Sequence, residues 1–334
     1  MISYSHTYIS TCITILLISF LGIHLISKKM PWIIGTCSYN EKSTIFHEKM
    51  LRGLGVIYPV SIIPIFFFNQ NIMQVIDYLM LLTLTIVGFV DDKFGLNYKI
   101  KIILFIIISF LYNTIIFSDF NNIQVLNLLL NSGLFFFLII FFNQIDGING
   151  LAMITFLILF VCISILTNSI LLYLPLIFFS FPYLYYNIQG KIGIQGDTGS
   201  YFLAGIIFVI AKDFYQNEFS ILILMFFLCP ILLDLIVTTI VKLYYKQNIF
   251  VGHNDNIYQK LAAYSGSHMS STGIFCAFQI FFSIIILFLL NNFSEKIFLI
   301  IMYLLVIVIF IFLLYISFKV QKSKILKSHS ATKI

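Results

Sequence analysis

Long apolar runs separated by short polar stretches fill the chain. They lie over 7–27, 53–68, 74–90, 100–118, 123–142, 149–167, 170–186, 200–212, 219–241, 271–290 and 297–318. A helix crosses a bilayer with about 17–25 mainly apolar residues, so each run is expected to be a membrane helix, the second and eighth being short. No stretch shows the period-two alternation of a membrane barrel. The pattern predicts an all-α, polytopic integral membrane protein of about 11 transmembrane helices. No internal repeat or low-complexity linker appears, so a single membrane domain is expected over 1–334, with a basic tail from 319 to 334. Pro59, Pro64, Pro175, Pro182 and Pro230 are expected as kinks inside helices, which membrane proteins tolerate because neighbours satisfy the freed backbone groups.

Composition agrees. The 334 residues are 60% apolar and 10% charged, against about a quarter charged in a soluble domain. The net charge of +6 is spread over short loops, which is not a nucleic-acid signature. Five Cys occur without a CxxC pair, so neither a disulfide framework nor a zinc site is expected. Charge also sets the topology. Stretches 28–52, 91–101, 187–199, 242–270 and the tail after Phe318 hold 17 of the 19 Lys and Arg, and only Lys212 and Lys296 fall on the other side. The expected arrangement is N-terminus out and C-terminus in. The first run has no Lys or Arg before it and Lys28-Lys29 after it, the reverse of a signal peptide, so a retained helix is expected.

On this reading the polar clusters share the cytoplasmic face. Asn143-Gln144-Ile145-Asp146-Gly147-Ile148-Asn149-Gly150-Leu151 interrupts two apolar runs. Unpaired polar groups at membrane depth cost several kcal/mol, so the stretch is either a polar turn or part of a site. Asp91-Asp92 ends the third run, where repulsion and the helix dipole disfavour two carboxylates and a bound cation would relieve both. Gln195-Gly196-Asp197-Thr198-Gly199-Ser200 opens the eighth, offering N–H groups to a phosphate and an oxygen to a hard metal, or simply a helix cap. Asp234 lies inside the ninth run, a functional candidate by default or a partner for Thr238. His253, Asn254, Asp255 and Asn256 follow in a loop. Oxygen donors without a His/Cys cluster suit Mg²⁺ and a phosphate-bearing substrate.

These motifs resemble the polyprenyl-phosphate N-acetylhexosamine-1-phosphate transferase family (glycosyltransferase family 4). His47 with Arg52-Gly53-Leu54-Gly55 is similar to its His…Arg-x-Gly-Gly element, with Leu54 in place of a Gly. Asp91-Asp92 is similar to its acidic pair, Asn143…Asp146-Gly147-Ile148-Asn149-Gly150-Leu151 to N-x-x-D-G-[IL]-[DN]-G-L, Gly196-Asp197-Thr198-Gly199-Ser200 to GDxGS, and Pro230…Asp234 to the Asp-bearing ninth helix. His253…Tyr258-Gln259-x-Leu261 and Ser267-His268 resemble the bacterial branch that initiates O-antigen or capsule chains, with Asn254, Asn256, Lys242 and Lys260 as departures.

The resemblance implies a Mg²⁺-dependent phosphoglycosyl transferase, Mn²⁺ being an alternative ion. It would take N-acetylhexosamine-1-phosphate from a UDP-sugar to undecaprenyl phosphate, releasing UMP and initiating a lipid-linked glycan in lipopolysaccharide or cell-wall biogenesis. The implied place is the bacterial inner membrane, with the site on the cytoplasmic face, membrane lipid as a partner and a homodimer allowed. Asn143 and Asp197 are the implied metal ligands; Asp91, Asp92, Asp197 and His253 the catalytic set; Arg52, Lys99, Lys101, Asp146, Asn149, Asp234, Tyr258, Gln259 and His268 the substrate contacts. Because an ordinary Asp, near ~3.9, is a weak base for a phosphate whose second pKa is ~6, Asp91 and Asp92 are read as orienters, with the base role kept open. Two other classes account for many helices and buried acids: a transporter or flippase of a lipid-linked or anionic solute, and a catalytically silent scaffold of glycan assembly.

Overall fold

The computed structural model describes residues 2–37, 50–68, 73–116, 122–188, 193–216, 221–247 and 255–331. The helices are α1 (Ile2–Lys29), α2 (Tyr58–Phe68), α3 (Val75–Phe94), α4 (Tyr98–Ile116), α5 (Asn122–Ile145), α6 (Leu151–Leu166), α7 (Ile170–Ile188), α8 (Gly196–Gln216), α9 (Ile221–Tyr244), α10 (Ile257–Ser265), α11 (His268–Asn292) and α12 (Glu295–Ala331). The chain is an all-α protein built for a membrane, and every expected run falls on a helix. Seven helices are long and apolar enough to cross a bilayer, and Leu54–Ile65, Leu151–Leu166 and Gly196–Ala211 are shorter apolar helices.

Several boundaries differ from the hydropathy reading for physical reasons. α8 starts at Gly196 rather than 200, because its first turn is capped by a side chain from another helix. A 3-10 turn over Leu54–Ile57 precedes α2, and Pro59 sits in the first turn of α2, where its missing N–H is no loss, so it is not a kink. α10 stands where a loop was expected, and α12 continues through the basic tail to Ala331. A small sheet was not expected at all. Its strands β1 (Gly35–Cys37), β2 (Met50–Arg52) and β3 (Gly193–Ile194) lie in the order β1-β2-β3. β1 and β2 are antiparallel with Gly35 opposite Arg52; β2 and β3 are parallel with Arg52 opposite Ile194.

The described chain forms two compact units, Met1–Ile221 and Leu222–Ile334. In the first, α3 and α5 pack on α8, α4 on α5, and α1 and α6 on α7. Phe135 and Phe208 stack at 4.3 Å between ring centroids where α5 meets α8. The α3–α8 approach depends on Gly88, since a Cβ there would come within 2.5 Å of the Thr198 Cα and 2.6 Å of its N. In the second unit α10 packs on α11 and α11 on α12.

Candidate active site

In the first unit the functional side chains gather where α3 ends and α8 begins. The sheet brings Arg52 there. Beyond β2, Gly53 N donates to Ile194 O (3.3 Å) and Gly55 N to Gln195 O (3.1 Å), so the 50–55 strand runs beside the segment leading into α8. Arg52 then spans two helices: its Nε lies 2.6 Å from Asp92 Oδ1 and its Nη2 donates to Asp197 Oδ2 at 3.0 Å. A planar fork meeting two carboxylates is the geometry that favours Arg over Lys.

Asp92 lies at the start of α8. Asp197 N donates to Asp92 Oδ1 (2.9 Å), Thr198 N to Oδ2 (2.9 Å) and the Thr198 hydroxyl to Oδ2 (2.6 Å). The N–H groups expected to await a phosphate are therefore occupied by a carboxylate of this chain. Gly196 has φ +74°, and a Cβ there would collide with the Asp92 carboxylate, so only Gly fits between them.

Asp91 faces different partners. Leu96 N donates to its Oδ1 (2.9 Å), the Tyr201 hydroxyl to Oδ2 (3.0 Å), and Lys101 Nζ pairs with Oδ2 at 2.9 Å. The expected repulsion of the acidic pair is thus relieved within the protein, by Lys101 and Arg52 and by the positive end of α8. Asp91 follows the apolar run of α3. Burial pushes its carboxyl above the usual range, the adjacent Asp197 adds to this, and Lys101 opposes it.

From α5, Asn143 Nδ2 donates to Asp197 Oδ1 at 2.7 Å. Asp146 and Asn149 are buried in the turn between α5 and α6. That turn is tied to the sheet through Asn187, which accepts from Gly150 N and donates to Gly193 O (3.3 Å). Gln195 is buried between two tyrosines: the Tyr58 hydroxyl donates to its Oε1 (3.0 Å), and its N donates to the Tyr183 hydroxyl (2.6 Å). Lys99 is exposed on the first turn of α4.

The structure therefore brings together Arg52, Asp91, Asp92, Lys101, Asn143 and Asp197. It adds Thr198, Tyr201 and Asn187, which sequence reasoning did not select. Thr198 stood inside a recognised motif, and Asn187 was visible as an Asn ending a long apolar helix. Tyr201 left no signal in a chain with 19 Tyr.

The second unit has its own polar centre. Asp234, fully buried, accepts from Ile257 N (3.0 Å), Tyr258 N (3.3 Å) and the Thr238 hydroxyl (3.3 Å). It thereby caps α10. Asn256 and Gln259 form a capping box at that same end, and Asn256 Nδ2 donates to the Tyr258 hydroxyl at 2.6 Å. Ser271 Oγ donates to Tyr258 O at 2.6 Å. The Asn at 256 thus has a role in the fold, as the N-cap of a helix the sequence reading lacked. Tyr258 and His268 are buried, and Lys242 Nζ lies 3.8 Å from Asp255 Oδ2. His47, His253 and Asn254 lie outside the described residues.

Asp197 and Asn143 present adjacent oxygen-bearing groups, and a rotation of the Asn143 amide exchanges its N and O. Among the described residues, no group of three or more His, Cys, Asp or Glu could hold a metal. This donor set fits Mg²⁺, which binds through one or two carboxylates and completes its shell with water and substrate phosphate.

A comparison with curated proteins finds no match. Residues 75–214, running from the start of α3 into α8 and enclosing Asp91, Asp92, Lys101, Asn143 and Asp197, match the model of Glycosyl transferase family 4, whose members transfer a sugar phosphate to a polyprenyl-phosphate carrier in a membrane.

Proposed function

We propose that the protein transfers N-acetylhexosamine-1-phosphate from a UDP-sugar to undecaprenyl phosphate. An oxygen of the lipid phosphate attacks the β-phosphorus of the UDP-sugar. The new P–O bond gives the lipid-linked diphosphate sugar, the bond to the bridging oxygen breaks, and UMP leaves with that oxygen. The sugar C1–O bond survives. Such in-line transfers need mainly positioning and charge neutralisation. The observation that carries this reading is the Asp91, Asn143, Asp197 and Lys101 cluster inside the stretch that matches the family model.

Asp197 and Asn143 would hold Mg²⁺. When bound, the ion would neutralise charge developing on the transferred phosphoryl group. Lys99 and Lys101 supply positive charge for substrate phosphate, with Arg52 at the carboxylates. Asp146 and Asn149 place the nucleotide, and His253 engages phosphate or sugar. The family resemblance also assigns substrate contacts to Asp234, Tyr258, Gln259 and His268, all within the second unit. Asp91 orients the lipid phosphate, whose dianion, dominant above ~6, needs no base. The charge asymmetry supports a site on the cytoplasmic face of a bacterial inner membrane, at the start of a lipid-linked glycan pathway of the O-antigen type.

The test is UMP release by the purified full chain with radiolabelled UDP-N-acetylhexosamines. Release that requires both undecaprenyl phosphate and a divalent ion is expected. Lipid or solute movement across vesicles without UMP release would replace this reading with transport.

A further inference from the structure

Three hydrogen bonds and an ion pair converge on Asp92. Its Oδ1 accepts from Asp197 N, its Oδ2 accepts from Thr198 N and the Thr198 hydroxyl, and Arg52 Nε lies 2.6 Å from Oδ1 as the counter-charge. All three hydrogen bonds come from the first turn of α8. Its side chain is 1% exposed. Asp91, its neighbour in the chain, meets Leu96 N, the Tyr201 hydroxyl and Lys101 Nζ, and lies beside the Asp197 side chain. Thr198 is fully buried, and Gly88 holds the backbone of α3 against that of Thr198.

We infer that the two carboxylates of the acidic pair have separate tasks: Asp92 and Thr198 form a positioning pair that fixes the first turn of α8, and with it the direction of Asp197, while Asp91 alone faces the reacting groups. The inference rests on the transferase reading. Asp92 takes up two of the amides in the first turn of α8, Arg52 ties the same carboxylate to that of Asp197, and the Thr198 hydroxyl adds a third hydrogen bond. On this reading Asp92 acts through α8 rather than as a metal ligand or a base. Its hold on α8 sets where Asp197 points, and a small error in a group that binds a metal or reacting phosphate costs rate more than binding.

The experiment compares Thr198→Val, Thr198→Ser and Asp92→Asn with the wild type in the full, reconstituted chain. Val keeps the shape of Thr and removes only the hydroxyl. Asn turns an NH₂ group toward two donors that need an acceptor. Two quantities are read: steady-state kcat and KM for each substrate, and Mn²⁺ binding by electron paramagnetic resonance without substrates. The expected result for Thr198→Val is a kcat lower by about tenfold, as for loss of one hydrogen bond to a charged group. Its KM values should stay within about twofold, and its Mn²⁺ binding should weaken severalfold. Asp92→Asn should follow the same pattern with a larger loss, and Thr198→Ser should regain most of the rate.

Wild-type kcat and Mn²⁺ affinity in Thr198→Val would overturn the inference alone. So would a rise in KM for the lipid phosphate as the main effect of Asp92→Asn, because that marks direct substrate contact. If Thr198→Val does not fold, Thr198→Ser decides: a Ser variant as impaired as Asp92→Asn overturns the pair. Wild-type protein that neither releases UMP nor takes up Mn²⁺ would overturn the inference together with the reading it rests on.

Discussion

Single residues here are fixed by more than one contact, which sharpens what a substitution reports. Asp197→Asn keeps the backbone N–H that Asp92 accepts and the size of the side chain, but loses the charge opposite Arg52 and at the proposed ion. Turnover should fall by roughly 100-fold or more, the scale of losing a metal's transition-state stabilisation. Near-normal rates of the folded variant at both limiting and saturating Mg²⁺ would remove Asp197 as ligand. Asp91 is the other decisive residue. Burial raises its carboxyl, which improves it as a base relative to an ordinary Asp, yet Leu96, Tyr201 and Lys101 hold it in place. Between pH 5.5 and 8 the lipid phosphate passes through its second ionisation near ~6. A base would matter most at the acid end, where a proton must be removed, so its loss would be rescued as pH rises. Orientation predicts a similar loss throughout. Single-turnover rates of Asp91→Asn against wild type are expected to keep a constant ratio, and strong recovery above pH 7.5 would restore the base.

At the scale of elements, the join between α3 and α8 is the critical contact. Gly88→Ala places a methyl group against the Thr198 backbone, which has no flexible side-chain end to yield. Overpacking of this kind costs about 1–3 kcal/mol, and turnover should fall with the thermal midpoint. Gly133→Ala, in α5 with nothing within 4 Å of the new Cβ, should leave turnover unchanged and gain up to about 1 kcal/mol from helix propensity. Equal behaviour of the two variants in thermal melts and UMP assays would show that the join tolerates a side chain. This join also marks how far the sequence could be read. The helices were legible because membrane spans are long and uniformly apolar. The motifs were legible because polar residues are rare in such runs. The strands β1 to β3, of two or three residues each, are too short for periodicity to register. α10 starts on caps supplied by Asn256 and by Asp234, the latter 23 residues before Ile257 in the chain. The capping of α8 by Asp92 joins residues 105 apart, so the acidic pair could be recognised but its division into two environments could not.

For the whole molecule, the open quantity is which side of the membrane each polar end faces. The charge split of 17 to 2 predicts N-terminus out and C-terminus in, and that can be tested inside each unit separately. In the first unit, Phe94 at the end of α3 and Asn168 between α6 and α7 are both exposed. In the second, Tyr264 on α10 and Ser294 between α11 and α12 are exposed on either side of α11. Cysteine placed at each position gives a reporter for an impermeant thiol reagent. Cys12, Cys162, Cys229 and Cys276 are buried, so background labelling should be low once Cys37 is changed to Ser. The former Asn168 and Ser294 positions should label from outside in intact cells, and the former Phe94 and Tyr264 positions only after the membrane is opened. Phe94 lies two residues beyond Asp92, so its reporter reads the side of the candidate site directly. Labelling of that position from outside would move the carboxylates to the outer face, away from a cytoplasmic UDP-sugar. It would end the proposed reaction even if every distance within the cluster were right.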